Sequence, residues 1–218
     1  MLKTRILTLT DSIKVLIRYK IPVASFAIAK DIEQAIKATN KIGYPVVLKL
    51  ISENIVHKTD VGAVQLNIRS DVELDKSFNQ ILKNVKKKYP KAKVDGILIQ
   101  KMISNGQEVI IGGKYDEQFG KVIMFGLGGI FTEVFGDVSF RIVPINKSDA
   151  ESMVKEIKGY RILEGYRGKA YDKKSLIEIL LKVSKLLYEN PRIREIDINP
   201  VMVLNKGAVA VDSRIILI

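Results

Sequence analysis

Three short stretches of this sequence place charged or hydrogen-bonding residues where chemistry can be done. Lys49 sits inside the apolar run Val46-Val47-Leu48-Lys49-Leu50-Ile51. Burying a lysine among such neighbours is costly unless its ammonium meets an anion, and phosphate suits a point charge with three donors. The competing reading is an edge strand with Lys49 facing water. His57, the sole histidine, lies in His57-Lys58-Thr59-Asp60-Val61-Gly62-Ala63. A near-neutral imidazole can act as a nucleophile, and backbone N–H groups of a loop containing Gly62 can approach phosphates. A lone surface histidine is the plainer alternative. In Glu195-Ile196-Asp197-Ile198-Asn199-Pro200, alternate residues share a face if the segment is extended. The turn Asn205-Lys206-Gly207 then folds the chain back, so that Asp212 can return beside Asn199. A carboxylate with an amide oxygen suits Mg²⁺, which keeps waters and shares phosphate oxygens; ordinary turn polarity is the alternative.

Gln100-Lys101-Met102 closes a strand and leads into Asn105-Gly106, with Glu108 beyond. Backbone groups at such a hinge can read an adenine edge while Met102 packs on its face. Two familiar phosphate motifs fail. Gly126-Leu127-Gly128-Gly129 lacks the glycine that a dinucleotide fingerprint needs at its sixth position, where Phe131 stands. Gly165-Tyr166-Arg167-Gly168-Lys169 ends like a Walker loop, but Leu163 occupies the first glycine position.

The elements that must position these groups follow from periodicity. A short helix over Ile13–Tyr19 stops at Ile21-Pro22, a strand covers Ser25–Ala29, and Asp31 caps a helix through Ile42. Gly43-Tyr44-Pro45 breaks it before the strand of Lys49, and a polar loop over Ser52–Ala63 leads to a strand at Val64–Ile68. Leu74, Phe78, Ile81, Leu82 and Val85 mark a helix. Strands are expected at Gly96–Gln100, Glu108–Ile111, Lys121–Phe125 and Phe140–Val143, and helices at Ser148–Ile157 and around Leu176–Leu187. A hairpin of Val201–Leu204 and Ala208–Val211 ends the chain. This mixture, with an antiparallel end, is α+β.

Composition narrows the partners. Hydrophobic residues make up 47% of 218, enough for a core, and cysteine is absent, which removes disulfides and thiolate chemistry and suits the cytoplasm. No run reaches the ~18 apolar residues of a membrane span, and the charged N-terminus lacks a signal core, so no membrane is expected. The net charge of +12 favours anions such as ATP or CoA. The dense basic run Lys83–Lys93 ends an amphipathic helix and reads mainly as solvated surface, which argues against nucleic acid.

Together these pieces resemble the ATP-grasp domain of the beta subunit of ADP-forming acyl-CoA (acetyl-CoA) synthetases, relatives of succinyl-CoA synthetase. The likeness runs from about Tyr19 to the C-terminus. It is carried, in order, by IPVASFAIAK, GYPVVLKL, HKTDVGAVQL, ILIQKM, GQEVIIGGKYDEQFG, VIMFGLGGIFTEVFGDVSFR, GYRILEGYRG, and EIDINPVMV followed by GAVAVDSRIIL. The resemblance implies two α/β subdomains clamping a nucleotide, a smaller one over residues 21–99 and a larger one over 1–20 and 100–218. It implies that Lys49 holds the phosphates of ATP or ADP, with Gly62 in the cofactor loop, and that Gln100, Lys101 and Met102 line the adenine pocket. Glu108 would sit near the ribose or phosphate loop, and Asn199 and Asp212 would carry Mg²⁺. Asp197 and Glu133 would support a travelling phosphohistidine, His57, which relays a phosphoryl group between nucleotide and a CoA-binding subunit.

One departure from the family pattern is Ala63, where paired glycines are common; its methyl would restrict the loop if that position needed φ > 0. With no CoA-binding domain expected after Ile218, the resemblance implies a separate alpha subunit in an α2β2 hetero-oligomer, which brings acyl-CoA and phosphate. Two other readings are a stand-alone ATP-dependent carboxylate ligase, active without a partner, and a non-catalytic nucleotide- or nucleic-acid-binding regulatory module.

Overall fold

The computed structural model describes residues 4–52, 55, 61–129, 132, 134–165, 168 and 170–218. Short polar residues start its helices. Thr8 accepts the Asp11 N–H at the head of α1 (Leu9–Arg18), Asp31 that of Gln34 at α2 (Ile32–Ile42), and Ser70 that of Glu73 at α3 (Asp71–Lys88). Asn146 and Asp149 exchange bonds in a capping box at α4 (Lys147–Glu156), and Asp172 caps α6 (Lys173–Glu189); the single turn α5 (Tyr160–Leu163) lies between. The strands are β1 (Arg5–Ile6), β2 (Phe26–Ala29), β3 (Val46–Ile51), β4 (Val64–Ile68), β5 (Gly96–Lys101), β6 (Gln107–Asp116), β7 (Gly120–Leu127), β8 (Val138–Ile142), β9 (Ile193–Val203), β10 (Ala208–Ala210) and β11 (Arg214–Leu217).

The chain divides into two units, Met1–Val23 with Ser104–Ile218, and Ala24–Ile103. The smaller unit starts later than the expected residue 21 because Ile21 and Val23 pack in the core of the larger one. It ends later than 99 because β5 runs on to Lys101 and the Met102 N–H bonds Pro45 O.

In the smaller unit the antiparallel order is β2-β5-β3-β4. Val46, Leu48 and Leu50 of β3 and Ile97 and Ile99 of β5 meet Ala35 of α2 and Leu74, Phe78 and Ile81 of α3 in one cluster. Each such side chain contributes roughly 1.5–3 kcal/mol by leaving water. Because β3 is bonded on both sides, Lys49 is not on an edge strand.

In the larger unit the order is β1-β11-β9-β6-β7-β8, with β10 also paired to β9. Ile111, Ile123, Phe125, Ile196, Ile198 and Ile215 face the apolar side of α6 (Leu176, Ile179, Leu180, Val183, Leu187). Every strand pair is antiparallel, the arrangement of an α+β fold. Among the described residues no helix is long and apolar enough to cross a membrane.

Candidate functional site

In the smaller unit the candidate groups lie on the sheet face opposite α2 and α3. Successive β3 residues alternate, so Val46, Leu48 and Leu50 enter the core while Val47 and Lys49 point the other way. Lys49 stands opposite Leu98, and Val47 opposite Gln100, which puts Lys49 and Gln100 on one face. Lys49 is 6% exposed and Gln100 1%. A lysine this deep in an interior strand is stable only with an acceptor or anion beside its ammonium. Among the described residues the buried Gln100 Oε1 atom has no hydrogen-bond partner, a condition that costs about 1–3 kcal/mol and that a ligand donor would relieve.

Lys101 turns to the other face. Its Nζ donates to Gly43 O at 3.0 Å and Tyr44 O at 2.7 Å, closing the turn between α2 and β3, while its own N–H bonds Ser25 O. The Lys101 and Met102 N–H groups are thus committed to the sheet. Gly62 has φ +67, and its carbonyl accepts from Asn84 Nδ2 of α3. Ala63 is not among the positive-φ residues and is fully buried, so its methyl adds to the core without backbone strain. His57 and Glu133 lie outside the described residues.

In the larger unit β9 is extended through both Asp197 and Asn199, as the alternation required. The hairpin returns in one continuous register: Ala210 pairs Val201, the Val211 N–H bonds Pro200 O, and Arg214 pairs Asp197. Between those pairs the chain brings Asp212 back towards Asn199. A single rung then crosses the sheet, Phe140 (β8), Met124 (β7), Gly112 (β6), Asp197 (β9) and Arg214 (β11), all on the face away from α6. Glu108, opposite Met202, is exposed on the same face.

Sequence reasoning missed two contributors. Arg214 is the cation facing Asp197, and a strand only four residues long at the chain end gave little signal. Gly128 is required by close approach: its N–H bonds Glu108 O at 2.8 Å, and a Cβ there would lie 2.8 Å from the Glu108 Cβ. The glycine stretch rejected as a dinucleotide fingerprint therefore lets the chain press against β6.

Burial raises the Asp197 carboxyl above its ordinary range; Glu195 and Asp212 push the same way and Arg214 opposes them. Like charges gathered on one face are what a divalent cation offsets. Among the described residues no three carboxylate or imidazole side chains converge as an all-protein metal cage. Asn199 and Asp212 as an oxygen pair, completed by water and phosphate, fit the sparse protein ligation of Mg²⁺.

The ATP-grasp domain family matches residues 2–217, essentially the whole described chain. The chain belongs to the ATP-grasp family. It is 48% identical over 200 residues to the beta subunit of acetate–CoA ligase [ADP-forming] I of Pyrococcus furiosus, covering 91% of this chain and 86% of that one. It is also 48% identical over 208 residues to acetate–CoA ligase [ADP-forming] I of Archaeoglobus fulgidus, covering 95% of this chain but only 30% of that longer one. Acetyl-coenzyme A synthetase 1 of Ca. Korarchaeum cryptofilum, solved with coenzyme A and Ca-AMPCP, superposes with a TM-score of 0.94 at 43% identity, over 98% of this chain and 94% of that one. A second structure of that protein, with coenzyme A and Mg-AMPPCP (TM-score 0.85, 40% identity, 98% and 93% coverage), has its phosphohistidine segment pointing towards the nucleotide-binding site. This ATP-grasp chain therefore has α+β architecture and relatives in ADP-forming ligation.

The raised Asp197 carboxyl sets a pH dependence. Stability from this group is complete below the unfolded carboxylate range, near 3.8, and is lost as pH rises through its higher folded value. Asp197→Asn should therefore melt above the parent at pH 7, and the advantage should vanish near pH 3. Thermal unfolding at the two pH values checks this; an advantage equal at both would contradict it.

Proposed function

We propose that this chain is the nucleotide-binding beta subunit of an ADP-forming acyl-CoA synthetase of the acetyl-CoA type. The overall reaction is acyl-CoA with ADP and phosphate giving acid, CoA and ATP. The reading rests on the 48% identity to a beta subunit across 86% of its length. A separate CoA-binding alpha subunit, in an α2β2 assembly in the cytoplasm, would supply acyl-CoA and phosphate.

In this reading both units carry residues of the nucleotide chemistry. Lys49 holds the nucleotide phosphates and offsets their charge during transfer, and Gln100 with the Met102 side chain receives the base. Gly62 lies in the phosphate loop, and Glu108 stands by the ribose. Asn199 and Asp212 would hold Mg²⁺, which when bound neutralises phosphate oxygens and aligns them. His57 takes the phosphoryl group from the partner subunit and passes it to ADP, so each step breaks one bond to phosphorus as it makes another. Asp197 and Glu133 orient the imidazole. Dividing a long transfer into two shorter ones keeps both reacting pairs close.

His57→Ala should keep Mg-ADP affinity within about 2-fold but lose phosphorylation of this chain by more than ~10³-fold. The assay is labelling with radioactive phosphate in the presence of acyl-CoA and the alpha subunit. Since the chain has a single histidine, a retained acid-labile label would sink the assignment.

Asn199→Ala with Asp212→Ala should weaken Mg-ADP roughly 10–100-fold while leaving metal-free ADP nearly unchanged. Calorimetric titrations with and without chelator separate the two, and equal weakening in both would remove the metal role.

A further inference from the structure

Large exposed apolar side chains are scattered over most of this chain, but four fall within nine residues: Val134, Phe135, Phe140 and Ile142. Phe140 is 51% exposed and Ile142 57%. By register Phe140 stands beside Met124, and Ile142 beside Val122, both partly exposed, so β8 and β7 carry a continuous apolar patch. It lies on the face opposite α6, and β8 is the edge strand, bonded only to β7.

The segment bearing the patch is pinned. Between its two halves, the buried Asp137 accepts the N–H groups of Lys158 and Gly159 at 2.7 and 2.8 Å. Ser139 Oγ donates to Met153 O at 3.0 Å. Two polar anchors hold the backbone while the apolar side chains face outward. A preset apolar patch of this kind marks a protein interface rather than a frayed loop.

We propose that this patch is the docking surface for the CoA-binding alpha subunit, an inference that rests on the function proposed above. Two observations select that occupant over a second copy of this chain. The first is position. Phe140 and Asp197 share one rung, three strand spacings apart, or about 14 Å. A partner that exchanges a phosphoryl group with this chain must reach that sheet face, whereas a second copy has no such need. The second is chain organisation. The matching domain is 30% of one continuous polypeptide in Archaeoglobus fulgidus and nearly all of a separate beta subunit in Pyrococcus furiosus. An association that persists without a covalent link needs an apolar centre, in an interface of roughly 1,200–2,000 Å² or more.

The test pairs Phe140→Ser with Ile142→Ser in the full chain, measured by sedimentation and calorimetry with the cognate alpha subunit. The double variant should bind that subunit at least ~100-fold more weakly, the loss expected for two hot-spot side chains. Its own melting temperature and Mg-ADP affinity should stay as in the parent. Val134→Ser with Phe135→Ser, read the same way, serves if the first pair melts early. Val72→Ser with Tyr188→Ser, more exposed and elsewhere in the chain, should bind like the parent. Patch variants within threefold of the parent would overturn the inference and leave the proposed function standing. So would a loss of self-association with heteromer formation intact, which would assign the patch to a second copy. A parent chain that binds no alpha subunit would overturn the proposed function and this inference together.

Discussion

A charged amine fixed within a bonded, apolar strand is the constraint from which the rest of the smaller unit follows. β3 is hydrogen-bonded on both edges, so Lys49 cannot swing out without breaking the sheet. Its alternation partners Leu48 and Leu50 bind that sheet to α2 and α3, which fixes the face on which the ammonium emerges. Gln100 shares that face, and its buried amide oxygen has no donor among the described residues. A buried acceptor left without a donor lowers stability, and such a cost persists where a ligand uses it.

The larger unit applies a complementary logic with carboxylates. The chain returns from the turn at Asn205 through β10 and β11, which sets Arg214 against Asp197 and brings Asp212 back towards Asn199. Burial and neighbouring negative charge raise the Asp197 carboxyl, so this face is ready to be neutralised. The same sheet passes from that charged region to the apolar edge at β8 across a single rung. The proposed phosphoryl chemistry and the proposed docking patch would then share one sheet face.

Much of this was legible in the sequence because local rules and tertiary packing agree there. The Val46–Leu50 run, the Asp31 cap and the Asn205-Lys206-Gly207 turn each dictate what the structure contains. Other features depend on contacts that sequence does not display. The strand expected to end at Ile111 continues through Gly112 and Gly113, and a side chain at Gly113 would strike Leu187 of α6. Glycine there signals close packing, not a strand end. Helix α1 begins at Leu9, earlier than expected, because Thr8 caps it. β1 is a two-residue edge strand and β11 only four residues, both too short for a periodic signal. Lys101 is adjacent to Gln100 in sequence but serves the opposite face, a consequence of strand alternation that composition alone does not weigh. The exposure of Phe140 and Ile142 likewise does not show in their apolar residue types.

The most direct measurement is the thermal stabilisation of Lys49→Met by Mg-ADP. The variant replaces the buried ammonium with an apolar chain of similar length, and each protein's ligand-free melting temperature is its own reference. Saturating Mg-ADP should then raise the melting temperature of the parent but scarcely that of the variant, since stabilisation scales with affinity. If Mg-ADP stabilises Lys49→Met as much as the parent, the strand lysine does not hold the nucleotide, and the account of the site is wrong.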